Sequence, residues 1–279
     1  MVSFIKLKKK IIINLELILI IIFYLMKKYN KKRLRIFKNT IKEKVTKRIP
    51  VFTFHRLVPE DVKKEIYPNN QWVGNITIFE KMIKYLFYNG YKTINTIELY
   101  KWYNKEVEYD KKTVLISIDD GHYEDYYLVY PIIKKYKFKA TSFVVGSRIQ
   151  SKTPSYNKYI CKYIGIDIIN KIKKEYSDFQ FQSHSFDMHH HGKINRMSDK
   201  ELVDDVSKMD KFGFITMAYP YGVHNDKIKE ILKNKGYLLS FRFGPSKYAT
   251  RNDNRFAISR IKINGNADIE TLKKWLKNI

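Results

Sequence analysis

The chain has 279 residues, 44% of them hydrophobic, which is enough for a sizeable core and excludes disorder throughout. Its single cysteine, Cys161, excludes an intramolecular disulfide framework and any cysteine-rich zinc site, so a metal here would need histidine and carboxylate ligands. The net charge of +26 favours anionic surfaces such as phospholipid headgroups, cell-wall polymers or nucleic acid, but no recognition-helix or RNA-binding motif accompanies it, so nucleic acid is not expected as a partner.

Half of that charge lies at the start. Residues 1–48 hold 15 lysines and arginines against two acids, Glu16 and Glu43. Within them an apolar run from Ile11 to Met26 is flanked by lysines that can snorkel and extend its reach, and no small-residue cleavage site follows. The expectation is an uncleaved signal anchor, a single-pass helix in the cytoplasmic membrane, with its linker at 1–48 ahead of a domain at 49–279. A buried or interfacial helix is the competing reading. Orientation is in conflict, because more lysines and arginines follow the run than precede it, which favours a cytoplasmic domain.

From Pro50 onward short apolar runs alternate with longer amphipathic ones. PVFTF reads as a strand, and TIFEKMIKYLFYNG as a helix opened by a capping box of Thr77 and Glu80 and closed by Gly90. YKTIN reads as a strand, TIELYKWYN as a helix, TVLISI as a strand and DYYLVYPIIKKYK as a helix. ATSFVV and FQFQSH are strands, SDKELVDDVSKMDKFG is a capped helix, ITMAYP a strand, NDKIKEILKNKG a helix, and YLLSFRF and FAISRIKI the last strands. Strand-then-helix repetition over a domain of this size predicts an α/β fold, a (β/α) barrel rather than an open doubly wound sheet, and no dinucleotide or P-loop glycine fingerprint argues otherwise.

Barrel chemistry sits at the C-terminal ends of strands. His55 follows VFTF, Asp119 and Asp120 follow VLISI, His184 follows FQFQS, and Tyr219, Pro220, Tyr221 and Gly222 follow ITMA. Singly these are ordinary: an Asp-Asp-Gly triplet is commonly a plain turn, and a lone histidine commonly a satisfied structural group. Together they place carboxylates and histidines at one mouth.

With these residues in place the sequence resembles the polysaccharide deacetylases with a NodB homology domain, carbohydrate esterase family four. SIDDG is similar to that family's first motif, HSFDMH to its second and AYPYG to its third, over a region running from about Ile49 to the C-terminus. Three departures narrow the match. Residue 188 is methionine, so the second-motif histidines are His184 and His189, five apart. Ala218 stands where the third motif begins with arginine, and no C-terminal Leu-x-His is present. An early His55 in FTFHRL replaces the last of these, an order that resembles the branch acting on poly-β-1,6-N-acetylglucosamine.

The resemblance implies a distorted barrel of about seven parallel strands, a divalent metal held by Asp120, His184 and His189, a base in Asp119 and an acid in His55. The ligand set suits zinc first, with iron, cobalt or nickel as alternatives. A spacing of five does not share a helical face, so residues 184–189 are expected to form a loop. It further implies one wall of a groove at Tyr219, Pro220, Tyr221 and Gly222, with the amide of Tyr221 toward the oxyanion, and Arg260 of ISRIKI is the candidate substitute for the missing arginine. Asp125, Asp187 and Asp253 are candidates to orient the histidines, and Tyr123 and Phe186 to wall the sugar site, while His122, His190 and His191 are expected bystanders, or alternate ligands if the loop shifts. The substrate implied is an extracellular N-acetylglucosamine polymer, which places the domain outside the membrane; no protein partner is inferable. Competing readings are a peptidoglycan or chitooligosaccharide deacetylase, and an inactive polysaccharide-binding membrane protein.

Overall fold

Residues 45–277, together with Ile22 and Ile279, are described by a computed structural model of the chain. The chain divides into two units, Met1–Val45 and Thr46–Ile279, and the second carries all that follows. The expected anchor lies almost wholly outside the described residues, among which no helix is long and apolar enough to cross a membrane.

Eight strands make one sheet: β1 (Val51–Phe54), β2 (Lys92–Ile94), β3 (Thr113–Asp120), β4 (Ala140–Val144), β5 (Phe179–Ser183), β6 (Thr216–Ala218), β7 (Leu239–Phe241) and β8 (Ile261–Lys262). Seven run in the order β7-β6-β5-β4-β3-β1-β8, with β2 paired beside the first half of β3, and every pairing is parallel. The sheet comes round on itself through the segment before β8. Ile258 bridges Phe241 of β7, donating to the Ser240 carbonyl at 2.9 Å, while Ile261 pairs with Phe52 of β1. The parallel barrel of about seven strands expected from the sequence is therefore present, and its seam is residues 258–262.

Strand β3 is the axis of this arrangement because it is buried on both faces, as an apolar parallel strand must be. Alternation along it sends Leu115, Ser117 and Asp119 inward, where the Ser117 hydroxyl lies 3.1 Å from that of Thr53 on β1. Val114, Ile116 and Ile118 point outward, into the layer packed by the helix α1 (Ile76–Tyr88) through Phe79, Met82, Ile83 and Leu86.

Two helices depart from expectation for local reasons. Asn75, not Thr77, caps α1, its side chain accepting from the Thr77 amide, and Glu80 pairs instead with Lys135 across the surface. The run DYYLVYPIIKKYK is not one regular helix. It begins as a π turn over Asp125–Val129 and becomes α2 (Tyr130–Lys135), with Pro131, which has no N–H to donate, at the junction. The capped helix α3 (Asp199–Ser207) forms as expected, with Ser198 and Glu201 in a reciprocal box.

The end of β3 is held in an unusual backbone. Asp120 has φ of 86° and Gly121 of 70°, so the chain leaves the strand at the second aspartate. A Cβ on Gly121 would lie 2.7 Å from Val144 Cγ1 and 3.0 Å from Val144 Cα, leaving no room for a side chain. Gly121→Ala is therefore expected to destabilise the domain by ~2–4 kcal/mol, from left-handed strain plus overpacking, read as a lower urea midpoint with an unchanged slope.

Candidate active site

Most residues of the site stand at or just beyond the C-terminal end of a barrel strand. His55 follows β1, Asp119 and Asp120 end β3, His184 follows β5, Tyr219 and Tyr221 follow β6, Phe243 follows β7, and Arg260 immediately precedes β8. These residues, with His189 and Trp72, line one cavity of about 270 Å³.

Asp119 points inward from β3 and is met by Arg260 from the seam. The guanidinium donates from Nη1 to Oδ1 and from Nη2 to Oδ2, both at 2.8 Å, with both side chains no more than 2% exposed. Burial works against the charge of Asp119, but the Arg260 cation prevails and holds the carboxyl below its ordinary range. A guanidinium thus reaches this carboxylate from the seam, while Ala218 stands on β6. His55 Nε2 lies 4.0 Å from Asp119 Oδ2, its ring between Trp72 at 4.7 Å and Phe243 at 5.6 Å, and burial lowers its pKa against the pull of Asp119.

Asp120 lines the same cavity but is turned onto two histidines. Its Oδ1 is 2.8 Å from His189 Nε2 and 3.5 Å from His184 Nε2, yet this buried oxygen makes no properly directed hydrogen bond. One ligand atom from each of the three lies within 4.8 Å of the others. His184 Nδ1 is 2.7 Å from the Ala218 carbonyl, a contact that requires Nδ1 to donate and leaves the Nε2 lone pair facing Asp120. Burial lowers the His184 pKa to about 4, which keeps that lone pair free. Converging lone pairs with an orphaned carboxylate oxygen suit a divalent cation, and two histidines with one carboxylate leave positions open for other ligands. The segment 184–189 is a loop, with Ser185 at φ of 67°.

Other expected residues fall differently. Tyr219 lines the cavity but is fully buried, its hydroxyl donating to the Phe256 carbonyl, whereas Tyr221 is 46% exposed. Pro220 and Gly222 are buried and set the turn; a Cβ on Gly222 would sit 1.9 Å from the Phe243 carbonyl oxygen. Tyr123 is wholly buried beneath Tyr127 and Tyr156, and Phe186 packs with Lys208 and Lys211, so neither lines the cavity. None of the three aspartates proposed to orient the histidines touches one. Asp125 accepts from Ser142 and is pushed by burial to about 7, Asp187 pairs with Lys193, and Asp253 accepts from Ser259 and Thr250. His122 is closer to the chemistry than a bystander, with Nε2 3.7 Å from Asp120 Oδ2 and Nδ1 3.5 Å from Cys161 Sγ.

Trp72 and Phe243 are cavity residues that the sequence reading missed. Phe243 lies two residues past β7, where the strand-end rule could have found it. Trp72 sits in a loop, just ahead of Val73–Asn75, a short strand paired with Arg56–Val58, and carries no such signal.

The geometry has counterparts. A family model described as polysaccharide deacetylase matches residues 106–240. The poly-beta-1,6-N-acetyl-D-glucosamine N-deacetylase of Staphylococcus aureus (strain MRSA252) is 30% identical over 213 residues, covering 71% of this chain and 70% of that one. The putative polysaccharide deacetylase YxkH of Bacillus subtilis (strain 168) is 27% identical over 192 residues, covering 66% and 63%. Among solved structures, the Streptococcus pyogenes deacetylase PplD in complex with acetate superposes with a TM-score of 0.69 at 23% identity, over 81% of this chain and 97% of that one. IcaB from Ammonifex degensii gives 0.66 at 18%, over 83% and 98%, and both likenesses speak to the fold. Parallel barrel, strand-end site and a relative at this identity agree: the chain belongs to the polysaccharide deacetylase family.

Proposed function

We propose that the protein is a metal-dependent hydrolase that removes N-acetyl groups from poly-β-1,6-N-acetylglucosamine on the outer side of the cytoplasmic membrane. The observation that carries the chemistry is the division of the two adjacent aspartates, one clamped by Arg260 and the other turned onto two histidines. The linkage is supported by the activity named for the Staphylococcus aureus relative and by the early position of His55.

Asp120, His184 and His189 would hold the ion, which when bound lowers the pKa of water and polarises a carbonyl. Asp119 takes the proton of the attacking water. Arg260 fixes the plane of that carboxylate through two hydrogen bonds and keeps it ionised until the proton arrives. The Tyr221 amide, carried on a turn with φ of 57°, serves the developing oxyanion. His55, on the opposite side of Asp119 from the histidine pair, gives a proton to the departing amine. The altered third motif does not leave the base without a cation, which argues against a polysaccharide binder that has lost catalysis.

Three outcomes test this reading. Asp120→Asn should lose bound metal and activity together, whereas Asp119→Asn should keep its metal and lose about two orders of magnitude or more in rate, with metal content read by mass spectrometry. Equal metal loss in both would make them a shared ligand pair. Acetate release should be faster on β-1,6 than on β-1,4 N-acetylglucosamine oligomers, and the reverse order would favour peptidoglycan or chitin-like substrates. For the location, protease added to intact protoplasts should remove the domain; digestion only after lysis would place it inside, as the flanking charge suggests.

A further inference from the structure

The cavity wall on the His55 side is backed by an ammonium group with no role in the chemistry above. Lys262, in β8, holds Nζ 3.7 Å from the centre of the Trp72 ring and 5.9 Å from that of Phe243, and donates to Gln71 Oε1 at 2.7 Å. Among the described residues no carboxylate pairs with it; its closest polar partner is a neutral amide. Burial lowers its pKa, with no acid opposing the shift. The two carboxylates that line the cavity are both committed, Asp119 to Arg260 and Asp120 to the histidines. The aromatic wall of Trp72 and Phe243 therefore offers a sugar ring apolar contact from a surface whose nearest free charge is positive.

The reaction converts a neutral acetamide into a primary amine that is protonated at neutral pH. We infer that Lys262 is a specificity-determining residue that disfavours a cationic glucosamine unit against the Trp72 and Phe243 wall, so that removing one acetyl group discourages reaction at the adjoining sugar. The inference deepens the proposed function and rests on it. Two unit charges ~8 Å apart in a partly screened setting alter an equilibrium by about five-fold, enough to space the amines along a polymer without stopping turnover.

The test compares two synthetic β-1,6 tetramers, one fully N-acetylated and one carrying a single free amine next to the reacting sugar. The ratio of kcat/KM for the two is measured for the native enzyme, for Lys262→Gln and for Lys262→Arg. The native enzyme should prefer the fully acetylated tetramer by about five-fold or more, K262Q should lose most of that preference, and K262R should keep it. Added salt should narrow the native ratio. A ratio near one in the native enzyme, or one unchanged in K262Q, overturns the inference while leaving the proposed function standing. Absence of acetate release from the fully acetylated tetramer by the native enzyme overturns both.

Discussion

Two buried charges decide the architecture of this site. Asp119 and Arg260 meet in a pair of 2.8 Å hydrogen bonds, each almost wholly shielded from water. Burying either alone would cost several kcal/mol, and breaking such a pair commonly costs about 3–5 kcal/mol, so the two residues must arrive together. They come from the axis strand and from the seam. The pair thus ties closure of the barrel to the state of Asp119: where the sheet comes round on itself, the carboxylate acquires its orientation and stays ionised.

Around that pair the strand ends divide the labour. On a straight strand, neighbouring aspartates would point to opposite faces. The left-handed backbone of Asp120, with Gly121 pressed on Val144, bends the second carboxylate back toward the mouth. A non-glycine residue in that conformation costs ~1–2 kcal/mol, held here by the packing of β4 against the turn. The result is two carboxylates, adjacent in sequence, in separate electrostatic surroundings, one facing a guanidinium and one facing imidazoles.

Much of this was legible because chemistry at a barrel mouth follows apolar runs directly. His55, Asp119, Asp120 and His184 each close such a run, and the repeated strand-then-helix order gave the barrel. Arg260 was readable from the gap left at Ala218, although its bidentate geometry was not. What escaped was fixed by tertiary contact. Tyr123 and Phe186 sit beside motifs in sequence, but the loops turn them into packing, while Trp72 reaches the cavity from a polar loop that has no periodicity to read. Thr77 and Glu80 spell a capping box, yet Asn75 takes the cap and Lys135 takes the glutamate. The aspartates expected beside the histidines are spent on serine, lysine and loop amides instead. The N-terminal anchor remains a reading of sequence, since it falls outside the described residues.

The seam has a consequence for how the molecule comes into being. Arg260 is 141 residues from its partner aspartate, and β8, next to it, pairs with β1, near the start of the domain. Contacts of such sequence separation are costly to close and form late. A ribosome can therefore finish His55, both aspartates and both histidines while Asp119 still lacks its cation. No fragment that stops short of residue 260 contains the Asp119–Arg260 pair. The clamp on Asp119 is completed only in the last tenth of these 279 residues, so a chain cut before Arg260 keeps a buried carboxylate with no guanidinium to meet it.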